Sequence, residues 1–141
     1  MAVTSKQGVV DGGLIRSARF ARVVFTIAGI WGILIMTPLY FTLDAVNRAY
    51  PPPITHPDLY YGFIDVTLAW QIAFLIIASN PVRYRTIMLA GILEKALYVT
   101  TMIALYFQGH LLPGQAAAII VPDGTLGLFF VAAFFRTPAL R

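Results

Sequence analysis

Four acids and one lysine of this chain stand in or against long apolar runs, and they are the residues able to do chemistry. Asp65, Glu94, Lys95 and Asp123 are embedded in such runs, and Asp44 closes another. An ionisable group surrounded by apolar sequence is costly and marks a ligand, ion or proton site, or a contact between helices. A carboxylate in such a place recognises an amine or a hydroxyl. Helical spacing supplies neighbours: Tyr61 lies four residues before Asp65, Tyr98 lies four after Glu94, and Thr101 continues the Glu94–Tyr98 face. Thr67, Trp70 and Gln71 add polar atoms to the run that holds Asp65. Glu94 and Lys95 are adjacent and diverge by about 100° on a helix, so they are not expected to pair with each other. Lys95 is expected to reach a carboxylate on another helix, Asp65 or Asp123. The candidate binding set is Asp65, Glu94, Lys95, Asp123, Tyr98, Trp70, Gln71 and Asp44. The same residues can instead act as structural glue, since polar side chains join apolar helices at about 1 kcal/mol each.

Other chemistry finds no residues to carry it. There is no cysteine, which excludes disulfides, thiolate metal sites and thiol redox chemistry. The two histidines, His56 and His110, fall in connecting segments, so one chain cannot build a bis-histidine haem site. No nucleophile–base motif, phosphate loop or metal-ligand spacing is present. No metal and no cofactor is expected. One backbone anomaly accompanies the acids. Pro122-Asp123-Gly124-Thr125 interrupts an apolar run, and proline removes a helical hydrogen bond, freeing a carbonyl near residue 118. A freed carbonyl at that depth belongs to a packing kink or to a cavity wall. Pro38 after Thr37 invites a similar bend. Ala28 and Gly32 have the spacing that lets helices approach closely, and Trp31 between them reads as packing.

The elements that hold these residues follow from composition. Hydrophobic residues make up 59% of the 141 and charged residues 11%, against about 25% charged in a soluble domain. A core this small cannot hide so much apolar surface, so lipid must solvate it. Four stretches have the length a bilayer requires: about 23–43, 59–78, 82–107 and 115–135. The fold expected is all-α, an integral membrane antiparallel four-helix bundle, because short connections make successive helices antiparallel neighbours. Residues 1–13 read as a mobile cytoplasmic N-terminus and 14–141 as the four-helix domain. The N-terminal stretch does not read as a cleavable signal peptide. Asn80 reads as the N-cap of the third helix and Pro81 suits its first helical position. Pro51, Pro52 and Pro53 give the first connection an extended path, and Gly109 to Gly114 form the third.

Charge then orients the spans. Lys6, Arg16, Arg19, Arg22, Arg83, Arg85, Arg136 and Arg141 fall on one side, and only Arg48 falls on the other, near Asp44 and Asp58. The rule that cytoplasmic loops carry the excess of Lys and Arg puts both termini inside. Tyr40, Tyr60, Tyr61 and Tyr106 mark the outer interface and Tyr84 the inner edge. The formal charge of +4 is therefore an anchor and not a nucleic-acid surface.

Certain residues resemble a known family. They are Leu43-Asp44 before a proline-bearing linker, Trp70-Gln71 followed by Ala73-Phe74, Arg83-Tyr84-Arg85-Thr86 entering span three, the Pro122 kink, and Arg136-Thr137-Pro138 after span four. The pattern is similar to the EXPERA domain, the four-helix membrane fold that includes the sigma-2 receptor, and to small bacterial membrane proteins without an assigned function. The resemblance implies acids on the first two helices facing a cavity that opens to lipid, with sterol-like or cationic amphiphilic ligands. By position Asp44 matches the first acid. Thr67 occupies the place of the second, with Asp65 two residues earlier, about 200° around the helix. The family's isomerase branch uses an intramembrane histidine that this chain lacks. A DoxX-like four-helix protein is an alternative on topology alone.

Three functional readings follow. The first is a protein of the bacterial inner membrane that binds or carries a small lipophilic ligand, sterol-like or cationic, in an acidic intramembrane pocket. The second is an accessory subunit whose polar residues bond to partner helices, or a homo-oligomer. The third is a lipid-modifying enzyme using Asp65 or Glu94. Membrane lipid is the partner common to all three, and nucleic acid is a partner of none.

Overall fold

A computed structural model describes the backbone of residues 3–139 and the side chains of residues 18–139. The sides assigned to Lys6, Arg16, residue 1 and Arg141 therefore lie outside the described residues. The described chain is all-helical, without a strand. Helix α1 is Val3–Met36, followed by a 3-10 helix at Thr37–Phe41, then α2 Leu43–Ala49, α3 Pro57–Ser79, α4 Ile87–Phe107 and α5 Pro113–Arg136. Among the described residues, four segments are long and apolar enough to cross a membrane: Ala18–Phe41, Pro57–Ser79, Ile87–Phe107 and Pro113–Arg136. These are the candidate spans of an integral membrane protein, and large apolar residues such as Leu59 and Leu128 stand exposed on them.

Local chemistry explains where the elements begin and end. The helical backbone of α1 starts at Val3, well before its apolar part, because backbone bonding propagates without needing apolar side chains. Pro38 has no N–H to give, and α1 tightens there into the 3-10 helix. The first connection is not extended throughout, since α2 occupies its beginning and the Asn47 side chain accepts a bond from Ile54 N at 2.8 Å. Asn80 and Pro81 do not start the third span. Residues 81–86 form turns, Asn80 Oδ1 accepts from Arg83 N at 3.1 Å, and α4 begins only at Ile87. The i→i+3 bonds from Met88 and Leu89 back to Arg85 and Thr86 tighten this entry. At the end of α4, Gly109 takes a φ of +78° and His110 N reaches back to Leu105 O at 3.0 Å, a helix stop that favours glycine.

Helix α1 packs on α3 and α5, and α4 packs on α5, whereas α3 and α4 approach each other at few points. The tight part of the bundle lies toward the end that holds Arg22, Arg85 and Arg136. There Phe25 of α1, Phe74 of α3 and Phe130 of α5 are fully buried, with ring centroids 4.3 Å (Phe25–Phe130) and 4.9 Å (Phe74–Phe130) apart. Ala21, Ala28, Ile77, Met88 and Ala133 close around them. Between apolar helices in lipid, such close packing stabilises association where the hydrophobic effect does not. Each aromatic pair adds about 0.5–1.5 kcal/mol beyond its area.

Two arginines finish this end by binding helix carbonyls. Arg22 Nε of α1 donates to Ala78 O near the end of α3 at 3.2 Å. Arg85 Nε, just before α4, donates to Phe134 O and Thr137 O at the end of α5, at 3.3 and 2.7 Å. Its guanidinium also lies 3.9 Å from the Phe134 ring centroid. Cations stabilise the C-terminal ends of helices, where unpaired carbonyls carry partial negative charge.

Candidate functional site

Beyond the aromatic cluster the bundle is hollow. A cavity of about 240 Å³ lies among the four long helices. From α1 it takes Trp31, Gly32 and Met36, from α3 Phe63, Thr67 and Gln71, from α4 Glu94, Lys95 and Tyr98, and from α5 Ala118, Pro122 and Asp123. On α1 the lining residues Ala28, Trp31, Gly32, Ile35 and Met36 recur at helical period, so one face of the helix makes the wall.

Lys95 is the centre of the site. It is only 7% exposed, and its ammonium donates to Asp123 Oδ1 on α5. Of the two acids expected as its partner, Asp123 is the one it meets. The expectation that Glu94 and Lys95 do not pair is corrected: Lys95 Nζ stands 3.4 Å from Glu94 Oε2. Cβ directions diverge by 100°, but two long side chains curl back to the same point. Glu94 Oε2 is buried and makes no hydrogen bond of good geometry, even though the ammonium is near. One lysine thus faces two carboxylates. With all three ionised, the cluster carries one net negative charge.

Gln71 forms part of the cavity wall. It is 3% exposed, and its Nε2 donates to Thr67 O at 3.0 Å. Its side chain lies flat on Gly32 of α1, where an added Cβ would stand 2.1 Å from Gln71 Oε1. Gly32 therefore makes room for the amide. Tyr98 stacks with Phe63 at 6.2 Å, joining α4 to α3 across the side where these helices otherwise touch little.

Helix α5 runs unbroken from Pro113 to Arg136 with Pro122 inside it. The irregularity expected at Pro122–Gly124 leaves the helix continuous. Pro122 still has no N–H for the Ala118 carbonyl, and both residues line the cavity. Thr125 Oγ1 donates to Val121 O at 2.7 Å, a back-bond that tolerates the local irregularity. Gly124 has open space at its Cβ position and is not a packing contact.

Five of the eight candidate residues line this cavity: Glu94, Lys95, Asp123, Tyr98 and Gln71. Three do not. Asp65 is exposed on α3 and accepts a hydrogen bond from Tyr40 OH, and Tyr40 stacks on Tyr61 at 6.2 Å. Trp70 packs against the buried aromatic cluster, 5.9 Å from Phe74. Asp44 is exposed in the first turn of α2. The acid that the EXPERA resemblance assigns to the first helix is thus away from the cavity. Sequence reasoning missed Trp31 and Phe63 as wall residues. The helical repeat of Ala28, Trp31, Gly32 and Ile35 was the available signal for the first, and the four-residue spacing of Phe63, Thr67 and Gln71 was the signal for the second.

No cluster of three or more metal-ligating side chains occurs among the described residues. No family model matches the chain, nor does any curated protein or solved structure.

Proposed function

We propose that the protein is an integral membrane antiparallel four-helix bundle that binds a small lipophilic cation in its central cavity. The observation that carries this is the geometry at Lys95, where the carboxyl groups of Glu94 and Asp123 both stand against one ammonium in the wall of a mostly apolar space. A ligand ammonium would complete the balance, and the rings of Trp31, Phe63 and Tyr98 would surround its apolar part, which is the usual composition of a small-molecule site. The contacts of Arg22 with the end of α3, and of Arg85 with the end of α5, support alternating helix directions. The distribution of Lys and Arg supports termini inside. Placement in a bacterial inner membrane rests on the likeness to small bacterial membrane proteins.

Size favours the smaller of the two ligand classes. The cavity, about 240 Å³, lies below the roughly 300–1,000 Å³ of pockets that enclose drug-sized molecules, and cavities of about 150 Å³ hold benzene. A one-ring amine fits such a space, whereas a sterol exceeds it. Phenethylamine and its uncharged counterpart propylbenzene are therefore the probes. In lipid nanodiscs, phenethylamine should change the tryptophan fluorescence saturably, with Trp31 as reporter. Propylbenzene should bind at least about tenfold more weakly, a difference of about 1.4 kcal/mol. Glu94→Gln should abolish the preference, and Asp65→Asn should leave it unchanged. Equal affinity for the two probes, or no saturable signal, rejects the reading.

The accessory-subunit reading keeps one specific support. Tyr40 and Asp65 form a polar pair that is exposed and turned away from the cavity. A polar pair on a lipid-facing surface is suited to a partner helix. Loss of a co-purifying membrane partner on Asp65→Ala, with amine binding intact, would add this role to the first.

A further inference from the structure

A second cavity of about 680 Å³ lies at the end of the bundle away from the arginines, between the α2 end and the α4–α5 connection. Tyr50 and Pro51 line it on one side, and His110, Leu112 and Gln115 on the other. It shares Ala118 and Ile119 with the central cavity. The shared residues belong to one face of α5. Gln115 lines only the second cavity, Ala118 and Ile119 line both, and Pro122, Asp123 and Leu126 line only the first. These positions recur at three- and four-residue steps, so a single stripe of the helix runs from the loop to the Asp123–Lys95 pair. Ala118 is small, and its carbonyl has no N–H at Pro122 to bond, so this stretch of wall combines low bulk with an exposed acceptor.

We propose that the second cavity is the vestibule of the first, and that a small organic cation reaches Asp123 and Glu94 along this face of α5. The alternative entry, from lipid between α3 and α4, is narrowed by the Phe63–Tyr98 stack. The inference rests on the cation-binding reading for its occupant, but the path can be tested without a ligand.

The natural chain has no cysteine, so single cysteines report access directly. Ile119→Cys and Leu128→Cys would be compared in proteoliposomes. Leu128 is 74% exposed on the outside of α5 and outside both cavities. The reagents are membrane-impermeant methanethiosulfonates, one bearing a trimethylammonium group and one a sulfonate. The cysteine at 119 should react with the cationic reagent about tenfold faster than with the anionic one. The cysteine at 128, facing lipid, should stay inert. Adding His110→Trp to the Ile119→Cys protein should slow the reaction by filling the vestibule. An inert cysteine at 119, or a rate indifferent to His110→Trp, overturns the vestibule. Protection of the cysteine at 119 by phenethylamine separates the two readings. Reactivity without protection keeps the path and rejects the amine site, whereas protection supports both.

Discussion

Lys95 shows what a buried ion does to its surroundings. Its ammonium is nearly excluded from solvent and holds Asp123 across the α4–α5 contact while Glu94 stands behind it. Removing one member of such a set strands the others, at a cost of about 3–5 kcal/mol in a dry site. Lys95→Met should therefore reduce folded yield and lower the thermal midpoint in detergent. Adding Asp123→Asn should restore much of the loss, and adding Asp65→Asn should restore none, because Asp65 bonds to Tyr40 instead. Recovery with Asp65→Asn alone would reverse the assignment. The sequence made these residues conspicuous, since charges in apolar runs are rare. It did not reveal which acid meets the lysine. That choice depends on helix rotation, which a hydrophobic run that is apolar on all sides does not encode. It also misjudged Glu94 and Lys95, because Cβ direction constrains short side chains and leaves long ones free.

At the scale of the elements, the arginines have a local duty besides orientation. Sequence counts them as a cytoplasmic excess, and nothing in the sequence separates Arg83 from Arg85. In the fold, Arg83 is exposed and lies 5.7 Å from the Tyr84 ring centroid, whereas Arg85 binds two carbonyls at the end of α5 and stacks on Phe134. Arg85→Gln should then cost about 1–2 kcal/mol, from a lost charge-assisted bond and a helix end left without its cation. Arg83→Gln should cost less than about 0.5 kcal/mol, as exposed substitutions usually do. Thermal unfolding of the two variants in the same detergent decides it, and equal losses would refute the distinction. Span lengths were legible because lipid thickness sets them. Their edges were less so. The sequence places the start of span three near residue 82, but residues 81–86 turn instead, and Arg85 meets the end of α5 from that turn.

The whole molecule is asymmetric along its axis. Its arginine end is filled by Phe25, Phe74 and Phe130 and closed by arginine–carbonyl bonds, and its other end holds two cavities that share a wall. Under the proposed cation-binding function, the side on which the open end lies would decide which compartment supplies the ligand. Eight basic residues grouped by the sequence against one argue that the arginine end is cytoplasmic. On the proposed reading the open end then faces outward, and the cation would enter from outside. The test uses two exposed positions at opposite ends, Ser79 after the last apolar turn of α3 and Thr55 before its first. In intact cells, Thr55→Cys should react with an impermeant maleimide, and Ser79→Cys should react only after permeabilisation. Neither substitution disturbs a long-range contact, since Ser79 bonds only to Ile76 O within its own helix. The opposite labelling pattern would turn the vestibule toward the cytoplasm. The protein would then draw its cation from the cell interior, against the side that its basic residues predict.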